Sequence, residues 1–194
     1  MPKLMYEYPS HANVIDFETG QWEDLRFPAQ GINPAGSAAP PTVDDTTVPG
    51  TLLFRGTTGN HVIAGVAQMP HAWQQGSSIH PHIHWTKTVA DATNKYPVKW
   101  QFKYAIVKMG AVIGAYSDWQ DCGDPVLGDL ATAEKHNLSM FPMIDMTGVT
   151  FSDMLLWQLQ RDISDDYAEN VRLLELDFHY QIDSIGTLTE GIKE

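Results

Sequence analysis

From Leu174 to Asp183 the chain alternates without a break. Leu174, Leu176, Phe178, Tyr180 and Ile182 fall on one side, and Glu175, Asp177, His179, Gln181 and Asp183 on the other. Successive side chains of an extended chain point to opposite faces, so this segment suits a strand with one face on an apolar core and the other polar. A helix would scatter the same five apolar groups around its axis. The period recurs at 98–106, where Val98, Trp100, Phe102, Tyr104 and Ile106 oppose Lys99, Gln101 and Lys103. From about Thr51 onward, short period-two runs are divided by Gly, Pro, Asn and Asp, which is an all-β pattern. Strands are expected at Thr51–Arg55, His61–Met69, Ser78–Thr88, Pro97–Lys108, Ala111–Tyr116, Met154–Arg161 and Val171–Asp183. Met109-Gly110 should form a tight connection that returns Val112–Tyr116 as a hairpin partner. Only Leu130–Met140 offers support for a helix, and that segment could equally be a loop. The expected architecture is a jelly-roll-like antiparallel β-sandwich, two sheets packed through their apolar faces.

The first 50 residues differ. Pro28 to Pro41 is rich in Pro, Gly, Ala and Ser and has neither period, so residues 1–50 read as an extended N-terminal arm ahead of a sandwich domain at 51–194. The arm nevertheless carries Tyr6, Tyr8, Phe17, Trp22, Leu25 and Phe27, more apolar surface than a solvated linker needs. It should dock, either on its own domain or on a neighbouring subunit. Trp22, Leu25 and Phe27 are its candidate assembly residues.

Composition removes several function classes. With 12 basic against 24 acidic residues the formal charge is −12, which repels a phosphate backbone and argues against a nucleic-acid partner. No run approaches the ~20 apolar residues that span a bilayer, and the opening residues lack the apolar core of a signal peptide, so no membrane association is expected. Cys122 is the single cysteine, which excludes an intrachain disulfide and a Cys-rich zinc site. It has no basic neighbour to activate it as a nucleophile.

The segment Ser78-Ile79-His80-Pro81-His82-Ile83-His84-Trp85 places three imidazoles at alternate positions, so a strand here presents a histidine column on one face. Adjacent members stand roughly 6.6 Å apart along the strand and the outer pair roughly 13 Å. Two of the three can therefore share an ion, with further ligands coming from another strand. Glu175, Asp177 and His179 are the candidates. A divalent metal held by His80, His82 or His84 with these partners competes with two other readings: a metal-free polar seam, and a site shared by copies around a threefold axis. Pro81 lacks a backbone donor, so the segment is expected at a sheet edge or at a bulge, where a neighbouring subunit or the arm could pair with it. Pro81 thus joins the candidate assembly residues.

Other chemistry finds less support. Gly76 precedes His82-Ile83-His84 with the spacing of a cupin motif, but no glutamate follows and no second motif is visible, leaving a cupin-like metal-dependent enzyme using His82 and His84 as an alternative. There is no Gly-x-Ser-x-Gly elbow, and Gly56-Thr57-Thr58-Gly59-Asn60 lacks the lysine of a phosphate loop. Asp162, Asp165, Asp166 and Glu169 lack EF-hand spacing and read as a solvated loop. The tryptophans would serve a carbohydrate-binding module of a fibre only if they were exposed.

Three blocks carry a resemblance: Trp22-Glu23-Asp24-Leu25-Arg26; Gln68-Met69-Pro70-His71 leading into His80–Trp85; and Leu173 to Asp183 followed by Gly186. In order and spacing they resemble a group of virion-associated structural proteins encoded by tailed bacteriophages and prophages. The match is poorest in the Pro-rich arm and across Asn94–Asp129. The resemblance implies a non-enzymatic subunit of a phage particle, assembled in the host bacterial cytoplasm. It would be a capsid decoration protein or a neck, tail or fibre component, partnered by other virion proteins and tied to a neighbouring subunit by its arm, from Pro2 to about Gly50. By analogy with its fold class, a homotrimer is expected, without a resident cofactor unless the histidine column holds a divalent metal.

Overall fold

In the computed structural model, residues 5–8, 11–14, 20–32, 40–57, 60–123 and 128–184 are described. They form twelve strands: β1 (Met5–Tyr8), β2 (His11–Val14), β3 (Gln21–Pro28), β4 (Thr42–Asp44), β5 (Thr51–Phe54), β6 (His61–Gln68), β7 (His80–Lys87), β8 (Trp100–Val107), β9 (Gln120–Asp121), β10 (Asn137–Met140), β11 (Met154–Arg161) and β12 (Val171–Ile182). Every strand pairing is antiparallel. β1 and β2 pair as a separate two-stranded sheet. One large sheet runs β10-β7-β12-β5-β4, with β3 also on β12; the other runs β6-β11-β8-β9. The fold is an all-β antiparallel sandwich.

The core is where the two apolar faces meet. Trp85 and Phe178 of the large sheet pack against Trp100 and Phe102 of the small one, with ring centroids 6.3 Å apart for Trp85–Trp100 and 5.9 Å for Phe178–Phe102. Trp73, Trp85, Trp100 and Trp157 are all buried. Two of these indole N–H groups reach hydroxyls: Trp85 Nε1 donates to Ser139 Oγ and Trp73 Nε1 to Ser77 Oγ, each at 3.0 Å. Gly65 pairs with Trp157, whose ring lies where a side chain on residue 65 would project.

β12 organises the large sheet. It pairs along one side with β7 and along the other with β5 at its start and β3 beyond. Between Leu173 and Glu175 its register against β7 shifts by one residue, making Leu174 the extra residue of a β-bulge. The parity of the core face changes there. Val171 and Leu173 are buried before the bulge, Leu176, Phe178, Tyr180 and Ile182 after it, and Leu174 is only half-buried. The bulge thereby keeps Arg172 on the same polar face as Glu175 and Asp177.

Several expectations change. No strand forms at Ala111–Tyr116. The chain returns along β8 irregularly, with Ser117 N–H donating to the Tyr104 carbonyl at 2.7 Å, and pairs regularly only at β9. Leu130–Met140 is not helical: it is a turn followed by β10, and among the described residues the one helical element is the 3-10 turn Ala29–Gly31. Of the two docking places open to the arm, its own domain receives residues 20–32 and 40–50. β3 lines β12, β4 lines β5, and Leu25, Phe27, Ala29 and Ile32 join or pack on the core. Tyr6, Tyr8 and Phe17 lie outside the residues whose side chains are described.

β7 is an interior strand without a bulge of its own, contrary to the edge or bulge expected from Pro81. It lies between β10 and β12. The Pro81 carbonyl accepts from Phe141 N–H at 3.0 Å, so the side of β7 that the proline nitrogen faces is the one away from β12. β10 has ended by then, its last partner on β7 being His82, so no ladder bond asks for the missing donor. Pro81 is buried.

Buried ion pairs fix the loops that flank β12. The Arg161 guanidinium, fully buried, donates to both Asp165 oxygens (2.9 and 2.8 Å) and to the carbonyls of Glu169 and Tyr167. Lys87, equally buried, binds Asp91 (3.0 Å) and the carbonyls of Tyr96 and Leu130 (2.7 and 3.0 Å). Arg172 bridges Asp44 (2.5 Å) and Glu134. Asp162 accepts the Lys99 ammonium at 2.8 Å. In the acidic run after β11, Asp162 and Asp165 are thus ion-paired, while Asp166 and Glu169 are exposed to solvent as a solvated loop would have them.

Candidate functional site

The polar face of the large sheet gathers side chains from three adjacent strands. Register sets His80 beside His179, His82 beside Asp177 and His84 beside Glu175 across β7 and β12. On the other side of β12, Asp24 stands beside His179, Arg26 beside Asp177 and Trp22 beside Gln181. Cross-strand partners share a face at roughly 5 Å, so strand order and register together assemble the cluster.

Asp177 is its centre, only 2% exposed. Its Oδ2 lies 3.4 Å from His82 Nε2 and 3.1 Å from His84 Nε2. Burial opposes ionisation of this carboxyl, but the hydrogen bonds and charges of His82 and His84 outweigh it and hold its pKa at about 2. Burial likewise opposes protonation of His82, yet Asp177 raises its pKa above the usual imidazole value. His84 extends the chain: its Nδ1 lies 2.6 Å from Nε2 of His136, on the loop before β10. His136 titrates below the usual value because of burial and the neighbouring His84. Asp177 Oδ1 is buried without a hydrogen-bond partner among the described residues.

The remaining candidates separate from this centre. Glu175 is engaged by Arg26, whose Nε and Nη2 donate to its two carboxylate oxygens at 2.8 and 2.5 Å. His179 Nε2 meets Asp24 Oδ1 at 3.1 Å, with both side chains about 40% exposed. His80 lies beside Trp22, the ring centroids 5.7 Å apart, and its pKa is lowered first by burial and then by His179 and His82. The column therefore divides: His82 and His84 converge on Asp177, while His80 belongs to an aromatic patch with Trp22 and His179.

Among the described residues, two groups have the donors to hold a metal ion: His82, His84 and Asp177, and the more exposed set Asp24, His82 and His179. In each, the donor atoms lie within 4.8 Å of one another. Asp24 and His136 were not legible as members of this cluster. Asp24 sits in the arm, and His136 in a loop without periodicity.

The assembly candidates also divide. Leu25 and Phe27 pack on their own core, Phe27 against Trp157 and Phe178 at 5.5 and 5.7 Å, and Pro81 is buried, so the three do not offer an outward contact. Trp22, 45% exposed, does. The strand tryptophans are core, and Trp119 lies under the Lys103 ammonium at 4.5 Å, leaving no exposed indole platform for a sugar beyond Trp22. No known family model matches the chain, and no curated protein matches it in sequence.

Proposed function

We propose that the chain is a non-enzymatic structural subunit of a tailed-phage particle, a capsid decoration protein or a neck, tail or fibre component that acts through trimeric self-association. The supporting observation is the strand order. Strands β5 to β12 divide into β5-β12-β7-β10 on one sheet and β6-β11-β8-β9 on the other. Two four-stranded sheets threaded in that order support the jelly-roll reading, an architecture common in particle proteins. The inference from fold to role is by analogy. The principal blocks of the phage resemblance add weight, because they fall on three neighbouring strands, β3, β7 and β12, and line one face.

A surface suited to association lies on the loop after β8. Met109, Val112 and Ile113 are 74%, 91% and 67% exposed, a concentration of apolar side chains that a subunit contact would cover. The net charge of −12 directs the partner away from nucleic acid and toward protein. Light scattering on the purified chain tests this reading: a trimer is expected, and V112D/I113D should weaken it while leaving the circular dichroism unchanged. A monomer at all concentrations would overturn it.

A second reading, a cupin-like metal-dependent enzyme, is favoured by one observation, the meeting of Asp177 with His82 and His84. Turnover of a substrate by the metal-loaded chain would establish it instead.

A further inference from the structure

We propose that His82, His84 and Asp177 form a binding site for one divalent first-row transition cation per chain. Two imidazole nitrogens and one carboxylate oxygen, with positions left open, are a donor set that such cations take. Ligands at about 2.0–2.2 Å from a common ion stand roughly 2.9–3.5 Å from one another in octahedral or tetrahedral arrangements. Asp177 Oδ2 lies 3.4 Å from His82 Nε2 and 3.1 Å from His84 Nε2, inside that span. All three donors fall within 4.8 Å of one another.

Independent features point the same way. Asp177 Oδ1 is buried and lacks a hydrogen-bond partner among the described residues, in a residue that is 2% exposed. Buried polar atoms are seldom left so, and an ion that both oxygens of Asp177 reach would satisfy Oδ1 together with Oδ2. His84 carries the outer partner that ligating histidines generally have: with Nε2 on the ion, its Nδ1–H donates to His136 Nε2 at 2.6 Å. The ligands sit on the central two strands of a sheet rather than on loops, so little ordering is needed on binding.

The geometry also selects among the column members. His80 is in neither donor set, and Glu175 is held by Arg26. The alternative set with Asp24 and His179 shares His82 but is more exposed. Because one chain supplies the whole buried site, the expected stoichiometry is one ion per chain, not one per trimer. The inference is independent of the assembly reading, since it does not need a second copy.

The test uses the full chain stripped with a chelator and dialysed against Zn²⁺, with bound metal counted by mass spectrometry and Co²⁺ absorption as a second readout. Wild type should bind one ion per chain, with the Co²⁺ spectrum of a nitrogen- and oxygen-ligated ion and a raised melting temperature. D177N and H84A should each lose at least tenfold in affinity, H136A less, and H80A nothing. D24N separates the two sets and should bind as wild type does. D177N conserves shape, so its circular dichroism should match wild type; should it misfold, H84A carries the test. Absence of binding by folded wild type, or unchanged affinity in H84A, would overturn the proposal.

Discussion

The Arg161–Asp165 pair offers a quantitative test of how the loop leading into β12 is held. Both side chains are almost fully enclosed, at 0% and 3% exposure, and two charge-assisted hydrogen bonds join them. Arg161 also donates to the carbonyls of Glu169 and Tyr167, and Asp165 accepts Lys99 N–H and Tyr167 N–H, each at 3.1 Å. Arg161→Met strands a buried carboxylate, and Asp165→Ala strands a buried guanidinium. Each should destabilise by about 3–5 kcal/mol, the usual effect of removing one member of an enclosed pair. The double variant leaves no unpaired charge, so it should be less destabilised than the sum of the two, by about 2–3 kcal/mol. Urea unfolding followed by fluorescence of the buried tryptophans measures all four corners of the cycle, and a domain of typical stability, about 5–15 kcal/mol, leaves room for it. A single change below about 1 kcal/mol, or a cycle additive to within about 0.5 kcal/mol, would refute the reasoning.

Three shorter predictions follow from packing and ionisation. Gly65→Ala places a methyl carbon 2.2 Å from the Trp157 ring, so it should lower stability by about 1–3 kcal/mol in the same urea assay; a neutral result would mean that the ring moves freely. His61 is buried beside Arg55 and Arg161, and its pKa is lowered on folding, burial being the larger cause. Its contribution is therefore whole above the unfolded value of about 6.5 and is lost as pH falls through the lower folded value. Between pH 7.5 and 5.5 the urea midpoint of wild type should fall further than that of H61Q, and parallel profiles would contradict this. Burial raises the Cys122 thiol to about 11. Iodoacetamide at pH 8 should label the native chain at least tenfold more slowly than the urea-unfolded chain, as intact mass would show.

The sequence spoke most clearly where a strand is long and buried on one side. β7, β8 and most of β12 lie within segments whose apolar side chains recur every second residue, while β6 and the start of β11 are near-continuous apolar runs bounded by turn residues. β4, β9 and β10 are no longer than the four-residue β5, and their Asp, Gln, Asn and Ser positions read as loop where β5 is mostly apolar. β3 was hidden by the Pro-rich stretch that follows it, although Leu25 and Phe27 alternate with Asp24 and Arg26 as a half-buried strand should. At β12 the unbroken alternation from Leu174 concealed the bulge. Val171 and Leu173 have the opposite parity, and only the paired register shows why both halves are buried.

The site was legible to the same extent. Strand rise limits the histidine column to two members per ion, but which two depends on where Asp177 stands in the neighbouring strand, a property of register. His136 reaches His84 from a loop, and Asp24 reaches His179 through β3. Neither contact follows a pattern along the chain. Pro81 misled for a related reason: a proline excludes a ladder bond on one side only, and here that side lies beyond the end of β10.

The most direct measurement of the account is the copy number of this chain in purified phage particles, by quantitative peptide mass spectrometry against the major capsid protein. The account predicts a fixed number of copies that is a multiple of three, unchanged when the particle carries H84A. A chain absent from washed particles and active on a substrate in the cleared lysate would contradict it.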